Sequence, residues 1–262
     1  MKVLAIIQAR LSSSRLPGKV LLKIKNKTIV ETIYNNLKKS KLIDKVLIAT
    51  SNNVTDEKLV KLCKEKKLNY FAGSLNNVLK RFIDIIKIYK PKYVIRVTAD
   101  SPIIDLKVLN FYIRNMKKFD SDCFFLSHNT SLLAGYDVYS SSLLKNVYRL
   151  SSNKKDKEHV GSFYIKKNID KFNTLKIVIP KFLRSSKYKL SIDTDKDYKN
   201  IKKLIEISKS SKIDLKSLIK IMKKNRKNIT NHTNKNESRD NKMLKKIKIV
   251  KKKFNNQVSL EL

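Results

Sequence analysis

Short apolar segments alternate with amphipathic ones along the first half of the chain. Residues 3–7 form an apolar run that polar residues end, as is typical of a strand buried inside a parallel sheet. After a polar loop, Thr28 and Glu31 have the spacing of a helix capping box, and apolar residues then recur at every fourth position from Ile29. The pattern predicts a strand, a loop and a helix in that order.

The same alternation continues as far as residue 222. Apolar runs predict further strands at residues 46–50, around residue 70, and at residues 93–98, 123–126, 176–178 and 190–192. Helical periodicity predicts helices over residues 59–63, 78–89, 106–116, 143–148, 159–167, 198–208 and 215–222. This order indicates an α/β fold with a mostly parallel sheet and helices on both faces. Ligands of such sheets bind beyond the carboxyl ends of the strands.

Composition divides the chain into two parts. The 262 residues, of which 41% are hydrophobic, suffice for one sizeable core, which we assign to residues 1–222. Residues 223–262 are rich in Asn, Lys, Thr and Ser and poor in periodic apolar residues, which predicts a basic, flexible tail. Within this tail, residues 243–250 fit an amphipathic helix or a strand.

The N-terminal apolar run is too short for a signal peptide or a membrane span, because Gln8 and Arg10 interrupt it. Cys63 and Cys123 lie in apolar segments and lack the paired spacing of a zinc site or a disulfide framework. We therefore expect a cytoplasmic protein with reduced core cysteines and no membrane span.

The formal net charge of +38 admits three interpretations. We favour a lysine-rich proteome composition, because the excess is spread over most predicted helices and is accompanied by abundant Asn and Ile. Steering of an anionic substrate and binding of nucleic acid are the alternatives. The sequence contains no recognised nucleic-acid motif and no paired aromatic stacking pattern, so a nucleic-acid partner is not expected.

The loop after the first strand concentrates groups that bind phosphate. Arg10, Arg15 and Lys19 can offset the charge of a triphosphate, three serines supply hydroxyls, and Gly18 permits close approach or a positive φ. The loop lacks the GxxxxGK[ST] spacing of a P-loop and the GxGxxG spacing of a dinucleotide-binding fold. Basic loops are often solvated surface, but this position in an α/β fold favours a site.

This loop resembles the N-terminal signature of the sugar cytidylyltransferases. The signature is carried by Ile7-Gln8-Ala9-Arg10 and Ser14-Arg15-Leu16-Pro17-Gly18-Lys19. Further matches follow in order at Gly73-Ser74, Val78-Leu79 and residues 96–102, 157–160 and 190–194. The resemblance covers residues 3–222 and looks strongest to the branch named for spore-coat polysaccharide biosynthesis, which is related to the synthetases that activate 3-deoxy-manno-octulosonate and sialic-type acids with CTP.

The resemblance implies a Rossmann-like fold of the nucleotide-diphospho-sugar transferase type, with the catalytic domain at residues 1–222. It implies transfer of CMP from CTP to a sugar, expected to be an acidic 2-keto sugar, with release of pyrophosphate for surface polysaccharide synthesis. The resemblance implies magnesium as the cofactor. Magnesium prefers a few hard oxygen ligands and keeps water and substrate phosphates for the remaining positions, which suits two carboxylates and a triphosphate. Two carboxylates that each follow a predicted strand, Asp100 and Asp193, would hold it.

The resemblance also implies roles for individual residues. The catalytic set comprises Arg10, Arg15, Lys19, Asp100 and Asp193. Nucleotide binding is expected at Gln8, Ala9, Arg10, Ser12, Ser13, Ser14, Arg15, Gly18, Lys19, Thr98 and Asp100. Sugar binding is expected at Gly73, Ser74, Gly135, Tyr136, Asp137 and His159. No dedicated general base stands out, although His159 is the best placed of three histidines.

Two departures from the family pattern leave the identity of the sugar open. Asn77 and Tyr139 stand where relatives usually carry acidic residues. The alternatives are another nucleotidyltransferase or a sugar-transferring enzyme on the same fold, and a basic nucleic-acid-binding protein. Steep salt dependence without a metal requirement would favour the last. The sequence leaves open whether the chain forms a homodimer.

Overall fold

The structure, a computed structural model, describes residues 1–128, 130–184, 188–208, 214–224 and 256–260. The strands of this part are β1 (Val3–Gln8), β2 (Lys23–Ile24), β3 (Lys27–Thr28), β4 (Lys45–Ser51), β5 (Tyr70–Gly73), β6 (Tyr93–Thr98), β7 (Cys123–Leu126), β8 (Tyr136–Ser140), β9 (Thr174–Val178) and β10 (Asn256–Ser259). Its α-helices are α1 (Ile29–Leu37), α2 (Glu57–Glu65), α3 (Val78–Tyr89), α4 (Leu106–Lys118), α5 (Ser141–Leu150), α6 (Lys154–Glu158), α7 (Ser162–Lys167), α8 (Asp195–Ile207) and α9 (Leu215–Lys224).

A five-stranded sheet with the order β5-β4-β1-β6-β8 forms the centre of the fold. The first four of these strands are parallel, and β8 runs antiparallel to β6. The mostly parallel α/β sheet is therefore confirmed. Strand β8 was not predicted from the sequence, because its apolar and polar residues form neither a continuous apolar run nor a clean alternation.

Helices cover both faces of this sheet, as predicted. Val3, Ala5 and Ile7 of β1 belong to a core that contains residues of α1, α2, α4, α8 and α9. Leu4 and Ile6 face the other way, into a core with residues of α3, α5 and α7. The predicted capping box is present, since Thr28 accepts from the Glu31 N–H and the Glu31 side chain accepts from the Thr28 N–H. Strands buried on both faces are apolar throughout, which explains the runs in the sequence.

The strand predicted at residues 190–192 is wrong. In the described part of the chain this segment joins no sheet, although Leu190 and Ile192 are buried. The Ile192 N–H donates instead to the carbonyl of Asp100, at 2.7 Å. Burial alone accounts for the apolar pattern that suggested a strand.

The distal end of the predicted tail belongs to the fold. A second sheet is parallel and has the order β10-β9-β7. Its strand β10 lies within residues 223–262, which were predicted to form a flexible tail. Leu260 follows this strand, is only 3% exposed, and donates its N–H to the Val178 carbonyl at 2.8 Å. For residues 256–260 the description as an appendage is corrected. The remainder of the tail prediction, residues 225–255 with the segment 243–250, lies outside the described residues.

Two smaller predictions concern the cysteines and the membrane. Cys63 and Cys123 are buried free thiols, and burial raises their pKa values, to about 11 for Cys63 and about 12 for Cys123. Both are core residues, as expected. No helix in the described part of the chain has the length and apolar content needed to cross a bilayer.

The contact of Leu260 with the core gives a first testable prediction. Leu260→Ala is expected to lower the free energy of unfolding by about 2–5 kcal/mol, because it removes buried methyl groups and leaves a cavity. Urea denaturation of the full chain measures this change. Gln257→Ala, at an exposed position of β10, is the matched control and should change the midpoint little. Equal midpoints for both variants would contradict an integral β10.

Candidate active site

The loop after β1 leaves the carboxyl end of the central sheet and turns back on itself. The Ser13 and Gly18 N–H groups both donate to the Leu11 carbonyl, at 2.8 and 2.9 Å, and Gly18 adopts φ 69°. Asp56, which is fully buried, holds the base of the loop by accepting the Leu11 N–H at 2.6 Å. The same carboxylate accepts the N–H and hydroxyl of Ser51. The loop is therefore anchored to the end of the neighbouring strand β4.

The two carboxylates expected to bind metal converge on one ammonium group. Lys19 Nζ lies 3.2 Å from Asp100 Oδ2 and 3.3 Å from Asp193 Oδ1. The same nitrogen donates to the Ile192 carbonyl at 2.6 Å. Asp100 follows β6 and Asp193 precedes α8, so residues far apart in the sequence meet beside the phosphate loop. The structure thus brings together three of the predicted catalytic residues.

Cationic side chains contact both carboxylate oxygens of Asp193. Arg15 Nη2 lies 2.8 Å from Oδ1, and Lys189 Nζ lies 3.0 Å from Oδ2. Burial acts to raise the pKa of Asp193, but the hydrogen bond from Lys189 and the charges of Lys19 and Arg15 outweigh it and hold this pKa below its usual 3.8. Asp193 is therefore ionised at neutral pH, as a metal ligand must be.

The Asp197 carboxylate accepts several hydrogen bonds at the start of α8. Its Oδ2 accepts the N–H groups of Asp193 and Thr194, both at 3.0 Å, and the Lys189 ammonium at 2.7 Å. Thr194 completes a capping box by accepting the Asp197 N–H. Asp195, which also lies in the first turn, forms an exposed ion pair with Lys199 and is not part of this cluster.

Arg96 connects the loop to a cavity on the other side of β6. The Arg96 side chain is 11% exposed, and its guanidinium donates to the Gln8 side-chain carbonyl and to Asp137, both at 3.3 Å. The cavity has a volume of about 340 Å³ and is lined on the β8 side by Gly135, Tyr136 and Asp137. Arg96 and Lys166 contribute two cations to its wall. Three predicted sugar-binding residues therefore lie in one cavity.

The end of α6 contacts the loop through an ion pair and carries the candidate histidine. Arg10 Nη2 pairs with Glu158 Oε1, the last residue of this helix, at 3.1 Å. Burial lowers the pKa of His159 below its usual 6.5, and the charges of Arg96 and Arg10 lower it further, against the opposing effect of Glu158. His159 is therefore neutral at pH 7. Its ring packs against Phe163 and does not line the cavity.

The remaining nucleotide candidates differ in accessibility. Ser12 and Ser14 are exposed on the loop, whereas Ala9 is buried and donates its N–H to the Ala49 carbonyl at 3.1 Å. Thr98, at the end of β6, has its hydroxyl 3.4 Å from both the Ser101 hydroxyl and the Gly135 carbonyl. Hydroxyl groups thus lie beside the carboxyl ends of two neighbouring strands, β1 and β6.

Gly73 and Ser74 lie apart from the other sugar candidates. Gly73 ends β5, four strand positions from β8, which corresponds to roughly 19 Å at the spacing of neighbouring strands. A Cβ at Gly73 would lie 2.9 Å from Cγ of Arg81. Arg81 is fully buried, donates to the Ala49 carbonyl at 3.3 Å, and has a pKa that burial lowers to about 10. The predicted sugar set thus divides between the two flanks of β1.

Several residues of the site were not identified from the sequence. Arg96 belongs to a matched motif, but no binding role was predicted for it, and none was predicted for Asp56, Arg81, Lys189 and Asp197, which are not among the predicted site residues. Lys189 and Asp197 stand four residues on either side of Asp193, and this spacing was the available signal. Asp56 and Arg81 gave no local signal, because their partners lie on other elements.

Comparison with known proteins agrees with the geometry. Residues 4–224 match the sequence profile of the Cytidylyltransferase family, and the chain belongs to this family. It is 30% identical over 208 residues to the spore coat polysaccharide biosynthesis protein SpsF of Bacillus subtilis, covering 78% of this chain and 86% of that protein. It is 33% identical over 199 residues to an uncharacterised protein of Methanocaldococcus jannaschii, covering 76% and 81%.

A solved structure extends this similarity to the fold. The structure of a cytidylyltransferase from Leptospira borgpetersenii serovar Hardjo-bovis superimposes with a TM-score of 0.80 at 31% identity, covering 89% of this chain and 98% of that one. The resemblance stated from the sequence motifs is confirmed, as is the nucleotidyltransferase type of fold.

Glycine is required at Gly135 for the geometry around Asp100. Gly135 has φ 98°, and a Cβ there would overlap Cβ and Oγ of Ser101, whose hydroxyl donates to Asp100 Oδ1 at 3.2 Å. Gly18 also has a positive φ, but no atom lies within 4 Å of the position that a Cβ would occupy there. Gly135→Ala should therefore destabilise the protein more than Gly18→Ala, whose cost is about 1–3 kcal/mol of backbone strain.

Thermal and urea unfolding of the two variants test this ranking. The double variant Gly135→Ala with Ser101→Gly should recover part of the loss, because it removes the overlapping side chain while the backbone strain remains. A Gly135→Ala protein as stable as Gly18→Ala would show that Ser101 can move away at no cost.

Proposed function

We propose that this protein is a magnesium-dependent cytidylyltransferase that transfers CMP from CTP to a sugar and releases pyrophosphate. The observation that carries the proposal is the convergence of Asp100 and Asp193 on Lys19, directly beside a loop rich in phosphate-binding groups. The reaction consumes CTP, a cytoplasmic nucleotide, so we assign the protein to the cytoplasm.

Membership of the Cytidylyltransferase family supports CTP as the nucleotide donor. The loop supplies what a triphosphate needs: exposed serines, Gly18 in the left-handed region, and the side chains of Arg10, Arg15 and Lys19. These cations pair with carboxylates, Arg10 with Glu158 and Arg15 and Lys19 with the two aspartates. Binding of CTP would exchange these carboxylates for phosphate oxygens.

The carboxylate pair fits a magnesium ion. Asp100 and Asp193 already share one cation, the Lys19 ammonium, and both offer hard oxygen ligands. Among the described residues, no cluster of three or more His, Cys, Asp or Glu side chains forms a metal cage. Two protein ligands leave the other coordination positions to water and phosphate, as Mg²⁺ prefers. When bound, the ion would neutralise charge on the nucleotide phosphates.

The reaction is attack of a sugar hydroxyl on the α-phosphorus, with pyrophosphate as the leaving group. Lys19 and Arg15 would stabilise the negative charge that accumulates on that leaving group. Arg10 would hold the phosphate chain from the Glu158 side of the loop. Positioning and charge neutralisation supply most of the rate in such transfers, which suits a site without an obvious general base.

The cavity beside Arg96 suits an anionic sugar. Arg96 and Lys166 place two positive charges on its wall against the one carboxylate of Asp137, which pairs with Arg96 at 3.3 Å and can accept from sugar hydroxyls. A volume of about 340 Å³ accommodates one monosaccharide acid. The similarity to a spore coat polysaccharide biosynthesis protein supports a role in making surface polysaccharide. We therefore propose an acidic 2-keto sugar as the acceptor.

Nucleotide binding can be tested without knowledge of the sugar. CTP with Mg²⁺ is expected to raise the melting temperature more than UTP, GTP or ATP, and CTP at about 100 times its dissociation constant should add about 2.7 kcal/mol. Asp100→Asn and Asp193→Asn should abolish the magnesium-dependent part of the shift. Asp195→Asn, in the exposed pair with Lys199, is the control and should keep it.

Two results of this experiment would contradict the proposal. Stabilisation by another nucleotide alone would indicate a different nucleotidyltransferase. A magnesium-dependent CTP shift that survives in both aspartate variants would exclude these carboxylates as the metal ligands. Melting of the unligated variants, measured first, separates loss of binding from loss of fold.

Acceptor recognition is tested with a panel of acidic and neutral sugars, with pyrophosphate release as the readout. Arg96→Met is expected to raise the KM for the acidic acceptor at least tenfold, because it removes a cation from the cavity wall, and to change the KM for CTP much less. Arg149→Met, at an exposed arginine of α5, is the control. Turnover of neutral sugars only would rule out the anionic acceptor.

A further inference from the structure

The two oxygens of Asp193 have separate partners. Oδ1 faces the phosphate loop, where Arg15 Nη2 lies at 2.8 Å and Lys19 Nζ at 3.3 Å. Oδ2 contacts the Lys189 ammonium at 3.0 Å. The carboxylate is therefore held in one orientation, with one oxygen directed at the site and the other bound by a lysine.

Lys189 is itself fixed by the scaffold of α8. Its side chain is 13% exposed and lies 2.7 Å from Oδ2 of Asp197, which is 5% exposed. That carboxylate also accepts the backbone N–H groups of Asp193 and Thr194. The ammonium thus has a fixed position relative to the segment that carries Asp193, and a fixed donor can orient the carboxylate beside it.

We propose that Lys189 is a positioning residue for metal and nucleotide binding: it holds Asp193 so that Oδ1 alone is presented to the Mg²⁺ of the nucleotide complex. The inference rests on the proposed function, because it concerns the same carboxylate. In this proposal Asp193 binds the metal through one oxygen. Asp197 holds Lys189 in place and is not itself a metal ligand.

Charge and orientation predict opposite effects for the loss of Lys189. Removal of a cation close to a divalent ion would by itself strengthen Mg²⁺ binding, because like charges repel. Loss of orientation would weaken it, since residues that orient metal ligands typically contribute about 10–100-fold to metal affinity. The sign of the change therefore distinguishes a positioning role from a purely electrostatic one.

The cap of α8 is expected to persist without Lys189. The capping box needs only Thr194, Asp197 and their own backbone groups. The variants can therefore be compared as folded proteins, and Lys189→Gln, which keeps a hydrogen-bond donor, serves if Lys189→Met does not fold. Lys199→Met is the matched control, because Lys199 pairs with Asp195 at 2.7 Å with the same four-residue separation on the exposed side of the helix.

The experiment uses the full-length protein with CTP and titrates Mg²⁺, following the rise in melting temperature and, independently, the heat of binding. Lys189→Met should raise the half-saturating Mg²⁺ concentration about tenfold or more. Lys189→Arg, which retains a cationic donor, should lie between Lys189→Met and wild type. Lys199→Met should match wild type, and CTP binding in the presence of EDTA should change less than the Mg²⁺ response.

Three outcomes would overturn the inference. These are an unchanged Mg²⁺ requirement in Lys189→Met, a tighter one, and equal impairment of Lys189→Arg and Lys189→Met. The first of these, combined with a lower melting temperature of unligated Lys189→Met, would reduce Lys189 to a structural role. Failure of the proposed function looks different, because wild type itself would then show no magnesium-dependent stabilisation by CTP.

Discussion

The site depends on one arrangement of charges, in which the Lys19 ammonium lies between the carboxylates of Asp100 and Asp193. Like charges at close range repel, so two ionised carboxylates remain together only if a cation lies between them. The parallel sheet makes the meeting possible, because β1 and β6 are neighbours and the segments after them emerge at the same edge. The hydrogen bond from Ile192 to Asp100 then brings the segment before α8 to that edge.

The charge balance within the site differs from the net charge of the whole chain. The net charge of +38 suggests a surface that attracts any polyanion. Within the site, however, each loop cation has a carboxylate partner: Arg10 has Glu158, and Arg15 and Lys19 have the aspartates. The side chains of the site are therefore nearly balanced in charge. Selective binding of a nucleotide must come from this local geometry, whereas the excess lysines supply at most a general attraction.

Local patterns were enough to predict the four parallel strands of the central sheet and most of the helices, because burial and capping act over a few residues. The capping box at Thr28 and the strand at residues 93–98 are examples. Contacts between residues far apart in the sequence produce no such local pattern. Leu190 and Ile192 are apolar because they are buried, not because they pair in a sheet, and β10 joins β9 from beyond a long polar segment. Partly buried polar residues such as Arg96 were not predicted for the same reason, since the partners of Arg96 lie on other strands.

The position of β1 explains why the predicted sugar residues cannot all contact one sugar. Phosphates bound at the loop would lie over β1 and β6, with β4 and β5 on one flank and β8 on the other. Gly73 at the end of β5 and Tyr136 in β8 are roughly 19 Å apart by strand spacing, well beyond the width of a monosaccharide. The cavity with two cations is on the β8 flank. An acceptor bound in that cavity would therefore lie too far from Gly73 and Ser74 to contact them.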